Sequence, residues 1–494
     1  MSAATVTPAL RQSVRETFKR PAWMRTEILA GLVVALALIP EAIAFALIAD
    51  VDPKVGLYAA GIMAISISFL GGRPAMISAA TAATALVIAP IVASHGIQYL
   101  FATVILAGIL QIVLGVVGVA KLMKFIPQSV MTGFVNALAI LIFIAQLPDL
   151  IDVPWAVYPL FALGLAVIFL WPKVTEVVPS ALVAIVVVTL IVIIFNIDVP
   201  TVADKGELPS QLPFFFIPDV PFNLETLEII FPAALAMAVV GLLESLMTAQ
   251  LVDNITDTGS NKTRESIGQG ASNMLAGFFG GMGGCAMIGQ TMINVRASGA
   301  RTRISTFVAG VFLLILAIGL GDIVGMMPMA VLVAVMVYVA YATFEWHSIA
   351  PRTLKNMPKS ETLVMLITVI PTVVTGNLAV GVGLGVLAAM IAFVRRVSHF
   401  AKVSRSVDDT TATYLVTGQL FFASSHDLAN QFEYALDPDH VVIDLRQANI
   451  WDHSTAATLD AINERYTERG KTVEFLGLRG SFPFGRQNVS TKDH

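Results

Sequence analysis

The chain has 494 residues, of which 56% are hydrophobic and 13% charged. That balance, spread over repeated apolar runs, excludes a single soluble globular domain and points to a polytopic membrane protein embedded in a lipid bilayer. A net charge of -4 gives no reason to expect a nucleic-acid partner, and one cysteine, Cys285, excludes a disulfide framework or a multi-cysteine metal site.

The basic N-terminus, residues 1–26, carries Arg11, Arg15, Lys19, Arg20 and Arg25 and is expected in the cytoplasm. The apolar run after it, from Ile28 to Ile48, is too long for a signal peptide and reads as a retained first span. Apolar segments then follow at 27–48, 55–70, 78–93, 99–120, 126–146, 153–171, 177–196, 229–251, 266–280, 285–296, 304–320, 327–344, 362–376 and 377–397. Predicted inner loops hold Arg73, Lys121, Lys124, Lys173, Lys262, Arg264, Arg296, Arg301, Arg303, Arg352, Lys355 and Lys359. Predicted outer loops hold Asp50, Asp52, Asp149, Asp152 and Asp322 instead, with Lys54 and Lys205 as exceptions. Positive charge marks the cytoplasmic side, so the alternation predicts fourteen crossings of a cell (inner) membrane with both termini inside.

A proline-rich connection, with Pro200, Pro209, Pro213, Pro218 and Pro221, separates residues 27–196 from 229–397, the two halves of the 27–397 membrane domain. Each half has an odd number of segments, so the second is inserted upside down relative to the first. Glu41 and Glu244 lie about 200 positions apart in the first segment of each half, as do Pro127 and Pro328 at the start of the fifth. The tenth segment, within Gly280–Asn294, opens with four glycines in five residues and supplies only about half the roughly 20 apolar residues a crossing needs. It reads as a half-helix starting near mid-membrane, with the third segment near Ser78 as its counterpart. Irregular backbone at that depth must line a cavity or be buried in protein, and two facing helix N-termini offer an anion their free N–H groups.

The expected substrate pocket is Ala79, Ala80 and Thr81 at one half-helix and Met287, Ile288, Gly289 and Gln290 at the other, with Phe45 one turn after Glu41. Glu41 and Glu244 are the acidic residues deepest in apolar spans. An ionised carboxylate there costs about 3 kcal/mol, so each must face a cavity, find a partner or take up a proton. An anion would be repelled by two charged carboxylates, which makes Glu41 and Glu244 the expected proton-coupling groups. Thr248 lies one helical turn from Glu244 on the same face.

Beyond residues 398–411, read as a polar linker, residues 412–478 pattern as a small α/β domain. Strands are expected at 412–418, 441–445 and 472–478 and helices at 425–436 and 454–469, with a flexible tail at 479–494. No metal cluster, catalytic triad, nucleotide loop or cofactor motif is legible, so no enzyme is expected.

Several stretches together carry a family resemblance: IPEAIAFA leading to DPKVGLYAA, FIPQSVMTGF followed by AQL, GELPSQLPFF, LLESLMTAQ and QTMINVRASGARTR. They resemble the SulP family of anion transporters, and the C-terminal domain resembles the STAS module. The resemblance implies fourteen spans divided into a core (segments 1–4 and 8–11) and a gate (5–7 and 12–14), substrate between segments 3 and 10, and a homodimer. It also implies a family of substrates that includes sulfate, bicarbonate, chloride, oxalate and C4-dicarboxylates.

Three departures from the family pattern shape the expected chemistry. Glu41 stands where many members have glutamine. Gln290 and Thr291 stand where many carry an Arg-Ser or Arg-Thr pair, and without that arginine the helix ends supply most of the positive potential and sulfate is disfavoured. Glu244 and Thr248 match an Asp and Thr that hold sodium in bicarbonate-type members, which leaves sodium as the alternative coupling ion to a proton. In the STAS-like domain Asp452-His453-Ser454-Thr455 matches a phosphorylation loop, making Ser454 a candidate phosphosite or helix cap and the domain a candidate docking site for a cytoplasmic partner. The expectation is a proton-coupled C4-dicarboxylate symporter working by alternating access. The alternatives are a sodium-coupled bicarbonate transporter, a passive anion channel, or a membrane sensor signalling through its STAS domain.

Overall fold

The computed structural model describes residues 13–121, 126–175, 178–398, 402–408, 410–421 and 428–477. The chain divides into two units, Met1–Val386 and Leu387–His494. Helices α1 (Val14–Lys19), α2 (Pro21–Ile48) and α3 (Pro53–Leu70) lead to strand β1 (Ser78–Ala79), α4 (Ala82–His95) and α5 (Ile97–Val117). Helices α6 (Gln128–Gln146), α7 (Val157–Leu170) and α8 (Ser180–Ile194) complete the first half. The second half has α9 (Leu224–Thr256), α10 (Lys262–Phe278), β2 (Cys285–Ala286), α11 (Ile288–Met292), α12 (Arg303–Gly319), α13 (Gly321–Gly325), α14 (Met329–Thr343), α15 (Pro351–Asn356), α16 (Lys359–Thr375) and α17 (Leu378–Ser398). Every one of the fourteen apolar segments carries helix, and among the described residues six helices are long and apolar enough to cross a membrane. Exposed apolar side chains such as Val116, Val117, Ile194 and Val374 belong to the surface that lipid covers.

Packing within the first unit obeys the exchange of one half for the other. Helix α2 packs on α12 as α9 packs on α5, and α3 packs on α12 as α10 packs on α5. Each of the latter crossings is a glycine contact. A Cβ on Gly108 would lie 2.5 Å from the Gly270 carbonyl oxygen, and one on Gly310 would lie 2.8 Å from that of Gly61. A second cluster forms where α6 packs on α14 and α16, and α7 on α8 and α14. These are the expected core and gate.

Buried carboxylates tie the core at one face. Glu27, 1% exposed, accepts from the backbone N–H groups of Arg301, Thr302 and Ser305 at 2.7, 2.9 and 3.2 Å, capping α12 from a neighbouring helix. Glu265 accepts from the N–H groups of Gly72 and Arg73 at 2.7 and 2.9 Å. Arg73 and Lys262 both pair with Asp253, at 2.9 and 2.8 Å.

In the second unit, β3 (Lys402–Val407), β4 (Thr411–Leu420), β5 (His440–Ile450) and β6 (Thr472–Leu476) form one sheet in that order, with α18 (His453–Thr467) between β5 and β6. The β3/β4 pair is antiparallel, while β4/β5 and β5/β6 are parallel. Residues 402–407, read as linker, are therefore an edge strand. All but half-buried Val403 are exposed, so the hydrophobic alternation that marks a strand is missing. Position is fixed instead by Arg405, which donates two bonds to Asp437 at 2.9 and 2.7 Å. Asp437 also accepts from the hydroxyls of Tyr414 and Tyr466, each at 2.6 Å. Burial, then the bond to Asp437, holds both phenols above the ordinary tyrosine range, so they remain donors. Replacing Asp437 with Ala is expected to cost the domain about 2 to 3 kcal/mol by orphaning these groups. Scanning calorimetry of the full chain should show its C-terminal transition at lower temperature.

Of the helix expected at 425–436, residues 425–427 lie outside the described residues and Leu428 is helical; a short 3-10 turn at Ala429–Gln431 follows, and from Phe432 the stretch is irregular and held by tertiary bonds, including Glu433 N–H to the Tyr414 hydroxyl at 2.9 Å. The 479–494 tail lies outside the described residues.

Candidate anion site

The tenth segment does not begin as a helix. Cys285 and Ala286 are extended and pair antiparallel with Ala79 and Ser78, and only then do α11 and α4 begin, α4 capped by the Thr81 side chain and α11 without a side-chain cap. Extended backbone in mid-membrane must find partners, and here the two halves of the protein partner each other. Antiparallel pairing sends the following helices off in opposite directions, with their N-termini flanking the crossing. Helix α11 continues as a π turn, Ile293–Ala297, giving a segment much shorter than a full span.

Glycine makes this crossing possible. A Cβ on Gly284 would lie 1.8 Å from the Ala79 carbonyl oxygen. On its other side the Gly284 peptide is clamped by Asn273, which accepts from its N–H at 2.8 Å and donates to its carbonyl at 3.0 Å, while also donating to Gln111 at 2.8 Å. Gln269 donates to the Ser78 hydroxyl at 2.6 Å, and Ser245 accepts from the Ala286 N–H at 3.0 Å. Ser78, Ser245, Gln269 and Asn273 are fully buried. Their bonds fix the backbone on which the site is built.

Two carboxylates meet this crossing, one from each half. Glu41 follows Pro40, which removes an N–H from the interior of α2 and frees the Leu36 carbonyl. Its carboxylate accepts from the Gln290 amide at 2.7 Å. Glu244, 7% exposed, accepts from the Cys285 thiol at 2.9 Å, and the Cys285 sulfur lies 3.2 Å from the Thr81 hydroxyl. Both acids are therefore held by neutral donors from the tenth segment, Cys285 in β2 and Gln290 in α11, and among the described residues neither has a salt bridge.

The remaining expected residues fall into place unequally. Gly289 is exposed, with nothing within 4 Å of where a Cβ would be, and Ile288 and Glu41 are half-buried, so this side of α11 opens onto free space. The N–H groups of Ile288, Gly289 and Gln290 belong to the first turn of α11, where helices leave donors unsatisfied. Gln290 is 2% exposed, and its amide oxygen has no donor among the described residues. Thr81 caps α4 by accepting from Thr84 N–H. Ala79 and Ala80 are fully buried in the crossing, Met287 is 7% exposed, and Phe45, at 3%, is packing within the core. The Thr248 hydroxyl donates to the Glu244 main-chain carbonyl at 2.8 Å and lies 3.5 Å from that of Ala286, so it contacts backbone and not the Glu244 carboxylate. Ser454 is exposed in the first turn of α18, whose cap is Asp452, accepting from Thr455 N–H at 3.1 Å. The capping role considered for Ser454 therefore belongs to Asp452.

Cys285, Asn273, Gln111, Gln269 and Ser245 were not legible as site residues. Reading 285–296 as continuous helix concealed the thiol's direction, and single amides in α10 look like ordinary polar positions.

An inverted repeat with paired carboxylates at a mid-span strand crossing defines a membrane transporter. Comparison with known proteins specifies which kind. The family model described as "Sulfate permease family" matches residues 24–157 and 152–368, and the STAS domain model matches 402–482, starting where β3 starts. "Putative sulfate transporter YbaR" of Bacillus subtilis (strain 168) is 54% identical over 92% of this chain and 95% of its own length. "Bicarbonate transporter BicA" of Picosynechococcus sp. (strain ATCC 27264 / PCC 7002 / PR-6) is 26% identical over 92% of this chain and 89% of its own length. Among solved structures, the transmembrane domain of a cyanobacterium bicarbonate transporter BicA aligns at a TM-score of 0.65 with 25% identity, covering 72% of this chain and 97% of that one. The overall structure of SLC26A9 aligns at 0.76 with 18% identity, covering 92% and 84%, and so agrees in fold. The chain belongs to the sulfate permease family and is an anion transporter with a C-terminal STAS domain.

Proposed function

We propose that the protein is a proton-coupled symporter of a small anion that carries, or can accept, a proton, with C4-dicarboxylates as the substrate class. The observation behind this reading is the pairing of Glu41 and Glu244 with neutral donors, Gln290 and Cys285, at a site with no salt-bridged cation among the described residues. Two ionised carboxylates would repel an incoming anion. Protonation of one removes the repulsion and couples the two movements. The free Gln290 amide oxygen points the same way: it is an acceptor and suits a ligand that donates an O–H, as a singly protonated dicarboxylate or bicarbonate does and sulfate does not. Half-buried Ile288, on the open side of α11, gives a hydrocarbon body an apolar neighbour.

In this reading the core carries the ligand past the gate, in an inner membrane with both termini cytoplasmic, and the transporter works as a homodimer. Bicarbonate is the second reading, favoured by the BicA relatives, with sodium in place of the proton. The test is uptake of labelled fumarate, bicarbonate and sulfate into proteoliposomes, with and without an inward proton gradient and with sodium absent. Concentrative fumarate uptake that follows the proton gradient supports the proposal. Uptake that needs sodium, or sulfate uptake indifferent to pH, overturns it.

A further inference from the structure

Residues 198–223 connect α8 in the gate to α9 in the core, and they are bonded to both. On the gate side, Val202 N–H donates to the Met327 carbonyl at 2.9 Å, Met329 N–H to that of Pro200 at 2.8 Å, Thr201 bridges to Pro328, and Lys205 pairs with Asp149 at 2.8 Å. On the core side, Lys54 pairs with Glu207 and donates its N–H to the Glu207 carbonyl at 3.1 Å, while Glu207 N–H donates to Asp52 at 3.1 Å. Further along, Tyr58 donates to the Gln211 carbonyl at 2.8 Å, Phe216 N–H to that of Phe278 at 2.9 Å, and Asp219 N–H to Gln98 at 3.0 Å. The ring of Phe216 also meets that of Phe101 edge-on at 5.2 Å.

The two sets of bonds change over at one residue. Lys205 is the last gate-bonded side chain and Glu207 the first core-bonded one. Between them stands Gly206, with φ 156° and ψ -178°, where a Cβ would lie 2.5 Å from the Asp52 carboxylate. Hinges are a few element-terminal residues that absorb backbone rotation, and Gly206 directly follows the 3-10 turn Val202–Lys205. Ala203 and Leu208 lie against Gly325, and Pro209 against Gly321, in α13 between α12 of the core and α14 of the gate, and these are the contacts that must slide.

We propose that this connection is a two-part strap articulated at Gly206, in which residues up to Lys205 travel with the gate and residues from Glu207 travel with the core. The inference rests on the reading that transport moves core against gate. Lys54, Asp52 and Glu207 keep the moving end in register, and Lys205 with Asp149 keeps the fixed end.

Distances between spin labels in lipid nanodiscs test it, and they need no transported substrate. Labels would be placed on exposed cysteine substitutions at Ala203 and Ser210 of the strap, Trp155 of the gate and Ala93 of the core, with buried Cys285 retained. The pairs Ala203–Trp155 and Ser210–Ala93 should each give one distance, whereas Ala203–Ala93 and Trp155–Ser210 should each give two populations. Gly206→Ala, whose methyl group would meet the Asp52 carboxylate, should merge those two into one. Two populations in either same-body pair, or one population in both cross-body pairs, overturns the strap. Failure of fumarate uptake with the predicted distances intact overturns the substrate reading alone.

Discussion

Glu244→Gln should fold, reach the membrane and lose gradient-driven uptake down to the level of protein-free liposomes. Folding survives because glutamine keeps an oxygen at 244 to accept the Cys285 thiol bond, 2.9 Å long in the native site. Transport fails because an amide carries no proton through the cycle, so the ligand's movement is no longer linked to the gradient. The measurement is initial uptake rate at several external pH values, beside Glu41→Gln in the same membranes. Retention of full acid-stimulated uptake by Glu244→Gln would remove Glu244 from the coupling role. Retention by Glu41→Gln alone would leave coupling to one carboxylate and give Glu41 to ligand binding.

The second large effect belongs to a residue with no side chain. Gly284→Ala places a methyl group 1.8 Å from the Ala79 carbonyl oxygen, with Ala80 Cα, just past the strand, 3.0 Å away. Backbone cannot retreat there, because Gly284 is clamped by Asn273 and flanked by Gly283, whose φ is +69°. The β1–β2 pair must then separate, exposing extended backbone at mid-membrane at several kcal/mol per unsatisfied group. We expect almost no monodisperse protein on size-exclusion chromatography of membrane extracts. Gly289→Ala, five residues on and facing free space, should express like wild type. Wild-type yield for Gly284→Ala would mean that the crossing is not needed for folding.

How much of this was legible in advance follows from where each feature keeps its information. Of helices α2 to α17, all but the short α13 and α15, which fall between the apolar segments, announce themselves because a span is a local property: a run of apolar side chains is visible one residue at a time. Glu41 and Glu244 stand out for the same reason, as charges in apolar runs. Their partners do not. Cys285 reaches Glu244 from 41 positions away within the second half, and Gln290 reaches Glu41 from 249 across the two halves, and such pairings exist only once the chain has folded. Strand β3 was hidden because an edge strand exposed on both faces has no period to read, and its anchor, Arg405 to Asp437, spans 32 residues. The stretch before Asp437 looked helical by pattern, but bonds to Tyr414 and Tyr466 outweigh a weak local preference.

The pairing of β1 with β2 also bears on biosynthesis. Ser78 leaves the ribosome about 200 residues before Ala286, and at roughly 5–20 residues per second that interval is on the order of ten to forty seconds. Through that time the first half sits in or beside the bilayer with an extended stretch whose partner strand, β2, has not been translated. The newborn chain thus requires temporary shelter for Ser78–Ala79, from the insertion machinery or from its own neighbouring helices, and a pause in synthesis between the halves lengthens the exposure.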